Sequence, residues 1–165
     1  MPKLRHVLRL VVVTLCLVAH QAWAEELRGQ VVGITDGDTI TLRVPSHPEI
    51  KVRLAEIDAP EKGQAFGTQS RKILSSLVFG RAVLVDVSSQ DRYGRSIGRV
   101  YVESPAVDVS AAMVEAGAAW VFDRYAKDPT LYELQQDARQ NSRGLWSLPP
   151  SDQTPPWEWR RASRH

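Results

Sequence analysis

Cysteine and histidine are nearly absent from this chain of 165 residues. It has a single cysteine, Cys16, and four histidines. Only His47 and His165 lie beyond the first 24 residues, so a zinc site built from Cys and His ligands is not expected. One cysteine cannot form an intramolecular disulfide, so an apolar core has to stabilise the fold.

The chain also lacks an apolar run of about 20 residues, the length that spans a bilayer as a helix. The run in residues 10–19 has ten residues, follows a segment with three Lys and Arg residues, and precedes small residues at Ala22 and Ala24. This order is typical of a secretory signal peptide. We expect residues 1–24 to be removed and the rest to be exported, to the periplasm or out of the cell, without stable membrane association. An uncleaved membrane anchor is the alternative.

Residues 25–165, which would remain after cleavage, have no excess of positive charge. The whole chain has a formal net charge of +2 and a pI near 8.8. Three of its 21 Lys and Arg residues, and none of its 19 Asp and Glu residues, lie in residues 1–24, which leaves 18 basic against 19 acidic residues. The overall charge therefore gives no support for nucleic-acid binding.

What the sequence does have is a regular spacing of apolar residues. They recur every two residues in some segments, as in strands, and about every 3.6 residues in others, as in helices. Val52 and Leu54 alternate with Arg53, which must point to the opposite face of its strand. The same alternation predicts five half-buried strands, at residues 27–35, 40–44, 50–54, 83–87 and 98–102. Three helices are predicted from apolar faces at residues 73–78, 109–116 and 131–138.

Residues typical of helix ends flank these three faces. Asp108 and Asp128 are the predicted N-terminal caps, with Pro129 in the first turn of the third helix. The predicted stops are Gly80, Gly117 and Gly144. The order of elements favours an α+β, mainly β fold: one domain, residues 25–147, with a five-stranded OB-type barrel and three helices.

Residues 148–165 form a tail rich in proline and tryptophan, and its prolines stop the third helix from continuing. We expect Trp157 and Trp159 to lie back on the domain, because full exposure of two such large apolar groups is unfavourable. A surface for a partner protein is the alternative. Trp120 and Trp146 are expected to fill the core.

Two acidic groups each stand at the end of an alternating segment. Asp36 and Asp38 form the first, and Asp58 and Glu61 follow Arg53 in the second. Asp-Gly at residues 36–37 is also a strong hairpin signal, so this group could be only a turn. If the four carboxylates and the arginine converge, they suit a hard metal ion beside a phosphate.

Five motifs in a fixed order resemble the staphylococcal (micrococcal) nuclease family. They are IxDGDTxxL, VRLxxIDAPE, DRYGR, GxAxV and GLW, from about Gly29 to Trp146. The resemblance implies a calcium-dependent nuclease that hydrolyses phosphodiester bonds of DNA and/or RNA and leaves 3′-phosphate ends. It also implies a nucleic-acid substrate, and we expect a monomer.

The resemblance further implies one calcium ion per chain. Its ligands are the carboxylates of Asp38 and Asp58 and the backbone carbonyl of Ala59. Asp36 stands behind these ligands without touching the ion. Two carboxylates, a carbonyl, waters and a phosphate oxygen supply the six to eight oxygens that calcium takes.

The resemblance assigns catalytic roles to three further residues. Arg53 and Arg95 match the phosphate-binding arginines, and Glu61 matches the glutamate assigned as general base. Tyr93 and Tyr125 resemble the tyrosines that border the nucleotide pocket. Arginine forks suit phosphate oxygens, and a carboxylate beside them can orient or deprotonate an attacking water.

Two departures from the family pattern predict weaker substrate binding. Residues 62–68 form a shorter loop than the lysine-rich loop of the staphylococcal enzyme, and Asp123 stands where that enzyme has a tyrosine. The main alternative function is an OB-fold module that binds nucleic acid or a small ligand without cutting it. A second is an exported structural or assembly protein whose tail is the functional part.

Overall fold

The computed structural model describes residues 25–163. The predicted signal peptide, with Cys16, lies outside the described residues. Within residues 25–163, no helix has both the length and the apolar character needed to cross a membrane.

Five strands close into a barrel. They are β1 (Glu25–Ile34), β2 (Thr39–Arg43), β3 (Ile50–Leu54), β5 (Ala82–Gln90) and β6 (Ser96–Glu103). Antiparallel neighbours run in the order β3-β2-β1-β5-β6, and a parallel pairing of β3 with β6 joins the two ends. In that pairing Val52 lies opposite Ser96 and Leu54 opposite Gly98. This confirms the predicted α+β, mainly β fold with an OB-type barrel.

Three short strands were not predicted. They are β4 (Ile57–Asp58), β7 (Ala106–Asp108) and β8 (Trp120–Val121). β7 extends the sheet beyond β6, while β4 and β8 form a separate antiparallel pair that sets Asp58 opposite Trp120. Segments of two or three residues are too short to show an alternating pattern, so periodicity could not find them.

The three predicted helices are confirmed as α1 (Gly67–Val78), α2 (Val109–Glu115) and α3 (Thr130–Gln140). Asp108 caps α2 as predicted, because its side chain accepts the Ala111 N–H at 3.1 Å. Asp128 accepts the Thr130 N–H at 2.9 Å at the start of α3. The predicted stop at Gly144 is wrong: α3 ends at Gln140, and Gly144 begins a short 3-10 helix, Gly144–Ser147.

The prediction of three helices is also corrected, because residues 25–163 contain a fourth, α4 (Pro156–Ala162), after a second 3-10 helix, Pro150–Asp152. The prolines of the tail do not end α3, which stops at Gln140, before the first of them. Pro156, however, occupies the first turn of α4, where the missing N–H would have had no partner in the helix.

The barrel interior is filled by branched aliphatic side chains from every strand. The fully or almost fully buried strand residues are Val31, Ile40, Leu42, Val52, Leu54, Val83, Val85, Val100 and Val102. A smaller apolar cluster holds Ala138, Leu145 and Trp146, and the Trp120 ring packs edge-on against Trp146 with centroids 4.5 Å apart. The prediction that these residues fill the core is confirmed for Trp146, whereas Trp120 is only partly buried at the edge of this cluster.

An ion-pair cluster around Arg99 of β6 positions the elements outside the barrel. Its guanidinium contacts Glu56 at 3.1 Å, Asp128 at 3.0 Å, and Asp108. Burial alone lowers the pKa of Arg99, but the hydrogen bonds to Asp108 outweigh it and the net shift is upward. Glu56 has a left-handed φ of 68° in the turn before β4. The cluster therefore ties that turn to the starts of α2 and α3.

The predicted hairpin at residues 36–37 is confirmed, since β1 and β2 pair antiparallel with Ile34 opposite Ile40. Gly37 is not at a left-handed φ. It is required for close approach instead: a Cβ at this position would lie 2.0 Å from Ser70 Oγ and 2.7 Å from Ala59 Cβ. The hairpin loop is thus pressed against α1 and against the residue that follows Asp58.

We expect Gly37→Ala to lower the free energy of unfolding by about 1–3 kcal/mol, because the added methyl group would overlap Ser70 and Ala59 and both residues would have to move away from it. Urea denaturation of the two proteins measures the loss. On a Ser70→Ala background the same change should cost less, because the closest clashing atom is gone. Equal costs on both backgrounds would show that this contact is not the cause.

Candidate active site

Arg53 joins the two acidic groups. Its Nη2 donates to Asp58 Oδ1 at 3.0 Å and to Asp38 Oδ2 at 3.4 Å. Nη1 donates to the backbone carbonyl of Leu54 at 3.2 Å. The side chain lies outside the barrel, as the alternation predicts, and is nevertheless only 13% exposed because the carboxylates cover it. One guanidinium nitrogen thus lies between the carboxylates of two separate chain segments.

Asp38 is held by backbone and side-chain donors. Its Oδ2 accepts the Ala59 N–H at 3.1 Å, and its Oδ1 accepts the Thr39 hydroxyl at 3.0 Å. Asp36 lies beside it and accepts the Asp38 N–H at 3.1 Å. Burial, and then the negative charge of Asp38, raise the pKa of Asp36 to about 6. Negative charge is therefore crowded at this point of the hairpin loop.

Arg160 of α4 also belongs to the site, and the sequence did not predict it. Its Nη1 donates to Asp58 Oδ1 at 3.1 Å, and its Nη2 donates to Oδ2 at 2.6 Å. Nη1 also donates to Glu61 Oε1 at 2.6 Å. Burial raises the pKa of Asp58 more than the hydrogen bonds from Arg160 lower it. The same bonds, to Asp58 and then Glu61, raise the pKa of Arg160 although burial opposes them.

Arg95 lies at the edge of the same group. Its Nε donates to Asp91 Oδ2 at 2.7 Å, and its Nη1 donates to Thr39 Oγ1 at 3.3 Å. Burial raises the pKa of Asp91, but the hydrogen bonds from Arg95 and Tyr93 lower it further, so the net shift is downward. Because Thr39 also donates to Asp38, the two predicted arginines flank that carboxylate.

The two predicted tyrosines are both exposed but lie in different surroundings. The Tyr93 ring is 5.6 Å from the guanidinium carbon of Arg95 and is 69% exposed. Tyr125 is 56% exposed and packs edge-on against Phe122 at 5.1 Å. Tyr93 therefore lies beside Arg95, a predicted phosphate-binding residue. Tyr125 contacts Phe122 instead, and Phe122 in turn packs against Trp157 of α4.

A cleft of about 340 Å³ opens beside Asp36, at the start of α1. Its lining residues are Thr35, Asp36, Lys62, Gly67, Thr68 and Arg71. Two of them are cationic, so the surface next to the acidic group offers positive charge even though residues 25–165 have no positive excess. A polyanion could follow this cleft toward the carboxylates.

The residues fit a calcium ion in their chemistry. In the part of the chain that the structure describes, no group of three or more His, Cys, Asp and Glu side chains is arranged to hold a metal. Two carboxylates, Asp38 and Asp58, do converge on Arg53, and Asp38 is bonded to the backbone of Ala59. Such hard oxygens suit calcium, which completes its shell with carbonyl oxygens and water.

A weak sequence signal for Arg160 exists in the tail. Trp157 and Arg160 are three residues apart and share one face if residues 156–162 are helical. Trp157 stacks on Phe122 with centroids 5.3 Å apart and planes within 9°. Trp157 therefore lies back on the domain, as predicted. The expectation for Trp159 is wrong, because it stays 38% exposed.

The chain matches a known protein family and is similar to several bacterial proteins. The model of a family described as staphylococcal nuclease homologue matches residues 51–148. The chain is 48% identical over 158 residues to Protein ParB of Escherichia coli, and the aligned region covers 90% of this chain and 87% of that protein. It is 44% identical over 158 residues to a micrococcal nuclease of Shigella flexneri, covering 90% and 88%. An uncharacterized endonuclease of Escherichia coli O157:H7 is 47% identical over 135 residues, covering 82% and 86%.

We expect Arg53→Met to lower the free energy of unfolding by about 3 kcal/mol without added metal, because it leaves the buried Asp38 without its ion-pair partner and Asp58 with Arg160 alone. Urea denaturation in the presence of a chelator measures the loss. Arg43→Met is the matched control on the neighbouring strand. Its partner Glu49 is exposed, so the change should cost less than about 1 kcal/mol. Equal losses would contradict a special role for the buried pair.

Proposed function

The chain belongs to the family of staphylococcal nuclease homologues, and on that premise we propose that it is an exported, calcium-dependent nuclease. It hydrolyses phosphodiester bonds of DNA and/or RNA and leaves 3′-phosphate ends. The observation that carries the proposal is the position of Arg53 between Asp38 and Asp58. Arg95 is linked to Asp38 as well, because it donates to the Thr39 hydroxyl, which donates to Asp38. An arginine beside paired carboxylates combines a phosphate-binding group with metal ligands.

The proposed ligands are the carboxylates of Asp38 and Asp58 and the backbone carbonyl of Ala59, with Asp36 behind them. When bound there, calcium supplies a Lewis acid that polarises a phosphoryl oxygen. Asp38 is already oriented by the Ala59 N–H and the Thr39 hydroxyl. This orientation reduces the rearrangement that ligand binding requires.

Arg53 and Arg95 bind the phosphate that is cut. Both are partly covered, at 13% and 25% exposure of the side chain, so their charges are screened less than surface charges. Their N–H groups neutralise the charge that builds on the phosphate oxygens in the transition state.

Glu61 orients a water and accepts its proton as the water oxygen attacks phosphorus. The bond from phosphorus to the 5′ oxygen then breaks, the 5′ oxygen takes a proton from a solvent water and leaves as a hydroxyl, and the phosphate stays on the 3′ end. Glu61 is 35% exposed and follows β4 by three residues, so water can reach it beside the buried Asp58.

Substrate binding is proposed to depend on local features of the surface. Tyr93 beside Arg95 and the exposed Tyr125 can stack on bases. Lys62 and Arg71 in the cleft beside Asp36 can contact phosphates. The names of two relatives, micrococcal nuclease and endonuclease, agree with this substrate class. We propose that the protein acts as a monomer.

We expect the purified protein to cut DNA in the presence of calcium and to stop when a chelator is added. A polynucleotide kinase should label the 5′ hydroxyls of the products directly, and a terminal transferase should extend their 3′ ends only after phosphatase treatment. Arg95→Ala should lower the rate by about 10²- to 10³-fold, because one transition-state donor is lost. Gel assays and end labelling measure both results.

Arg92→Ala is the matched control, because Arg92 lies in the same turn as Arg95 and is exposed. It should cut at close to the wild-type rate. A folded protein that binds DNA in a gel-shift assay but never cuts it would favour the alternative, a binding module. Full activity in Arg95→Ala would show that the site is assigned wrongly.

Export can be tested separately. When the full sequence is expressed in a Gram-negative bacterium, we expect the mature protein to begin at Glu25, because small residues precede that position. Fractionation followed by N-terminal sequencing measures this. Ala24→Asp should block cleavage and retain the protein at the membrane. A wild-type protein that keeps residues 1–24 in the membrane fraction would support the uncleaved anchor.

A further inference from the structure

Arg160 contacts both oxygens of Asp58, one of the two carboxylates proposed to hold calcium. Both oxygens of Asp58 accept an N–H from the Arg160 guanidinium, at 3.1 and 2.6 Å. The Asp58 side chain is only 1% exposed, so few directions remain from which a cation can approach it. A metal ion that binds to Asp58 would have to compete with a cation that belongs to the chain itself.

We propose that this contact is a latch: the guanidinium of Arg160 binds Asp58 and Glu61 when calcium is absent and must leave both carboxylates when calcium binds. The inference rests on the proposed function, because it takes Asp58 as a calcium ligand. We use "latch" below for the contact of Arg160 with Asp58 and Glu61. Arg160 is then a positioning residue that keeps both carboxylates paired and oriented in the metal-free protein.

The attachment of α4 allows the latch to open without release of the tail. The segment before Arg160 is held by Pro156, which is buried, and by Trp157, which stacks on Phe122. Gln64 Nε2 donates to the Thr154 carbonyl at 2.6 Å. These contacts are apolar or involve backbone, so they do not depend on the charge state of the site.

The end of α4 has a different environment. Trp159, Arg161 and Ala162 are exposed, and the Arg160 side chain is 35% exposed. The ion pairs that α4 makes with other described residues, to Asp58 and Glu61, both come from Arg160. The guanidinium can therefore turn toward solvent, or toward a phosphate, while the first turn of the helix stays in place.

Gln64 links the anchored part of the tail to the latch. Its Oε1 accepts the Glu61 N–H at 3.0 Å, while its Nε2 binds the Thr154 carbonyl. Glu61 is thus bonded to the tail through its backbone as well as through its side chain. Opening of the latch frees the Glu61 carboxylate, the group proposed to take the proton from water, and leaves its backbone in position.

Competition between the latch and calcium predicts a change in affinity. We expect Arg160→Gln to bind calcium at least about fivefold more tightly than the wild type, the lower end of the usual range for coupled binding events. Isothermal titration calorimetry of the purified protein at constant ionic strength measures the affinity directly, without an activity assay. Arg160→Lys keeps the charge but loses the two-pronged contact, so its affinity should lie between the two.

Arg161→Gln is the matched control. Arg161 is the next residue of α4 and is exposed, so this change removes the same charge without touching Asp58. It should bind calcium as the wild type does. Circular dichroism checks that each variant is folded, and Arg160→Lys carries the test if Arg160→Gln is not.

The other outcomes separate the latch from the proposed function. If the wild type binds calcium and Arg160→Gln binds it equally or more weakly, the latch is wrong and the calcium site stands. If both arginine-to-glutamine variants tighten binding equally, net charge is the cause and the latch is wrong. If neither the wild type nor any variant binds calcium, the proposed cofactor is wrong and the latch falls with it.

Discussion

The arrangement of the acidic residues depends on the ion pairs that the Arg53 guanidinium makes with Asp38 and Asp58. Asp38 and Asp58 come from different segments and would repel each other if Arg53 were not between them. Desolvation of three charged groups is expensive, and part of that cost remains visible in the raised pKa of Asp58. The pair is kept because the barrel holds Arg53 on the strand face that points to these carboxylates.

The scaffold brings the two acidic segments together through contacts outside the barrel interior. Gly37 lets the hairpin loop pack directly against Ala59 and α1, since any side chain there would clash. The short ladder of β4 with β8 sets the register of Asp58. Arg99 holds the turn that contains Glu56, in spite of its left-handed φ, against the starts of two helices. Each contact is small, and together they leave Asp38 and Asp58 little freedom.

Charge balance at the site comes from the tail as well as from the barrel. Asp38 and Asp58 are buried and Asp36 is half-buried, and Arg53 alone does not neutralise the three carboxylates. Arg160 adds a second positive charge from residues that follow the barrel domain. The site can therefore exist without a metal ion and still avoid an uncompensated carboxylate at Asp58. The proposed latch would provide this compensation for as long as no calcium is bound.

The sequence by itself determined the barrel strands, the first three helices and the partners of the central contact. Alternation places Val52 and Leu54 inside and Arg53 outside, because side chains of a strand point to opposite faces in turn. The tertiary structure alone decided that Arg160 meets Asp58, since 102 residues separate them and no local periodicity encodes such a contact. It also decided the short strand that holds Asp58 and the helix begun by Pro156, because two-residue ladders and seven-residue helices are stabilised by packing rather than by their own pattern.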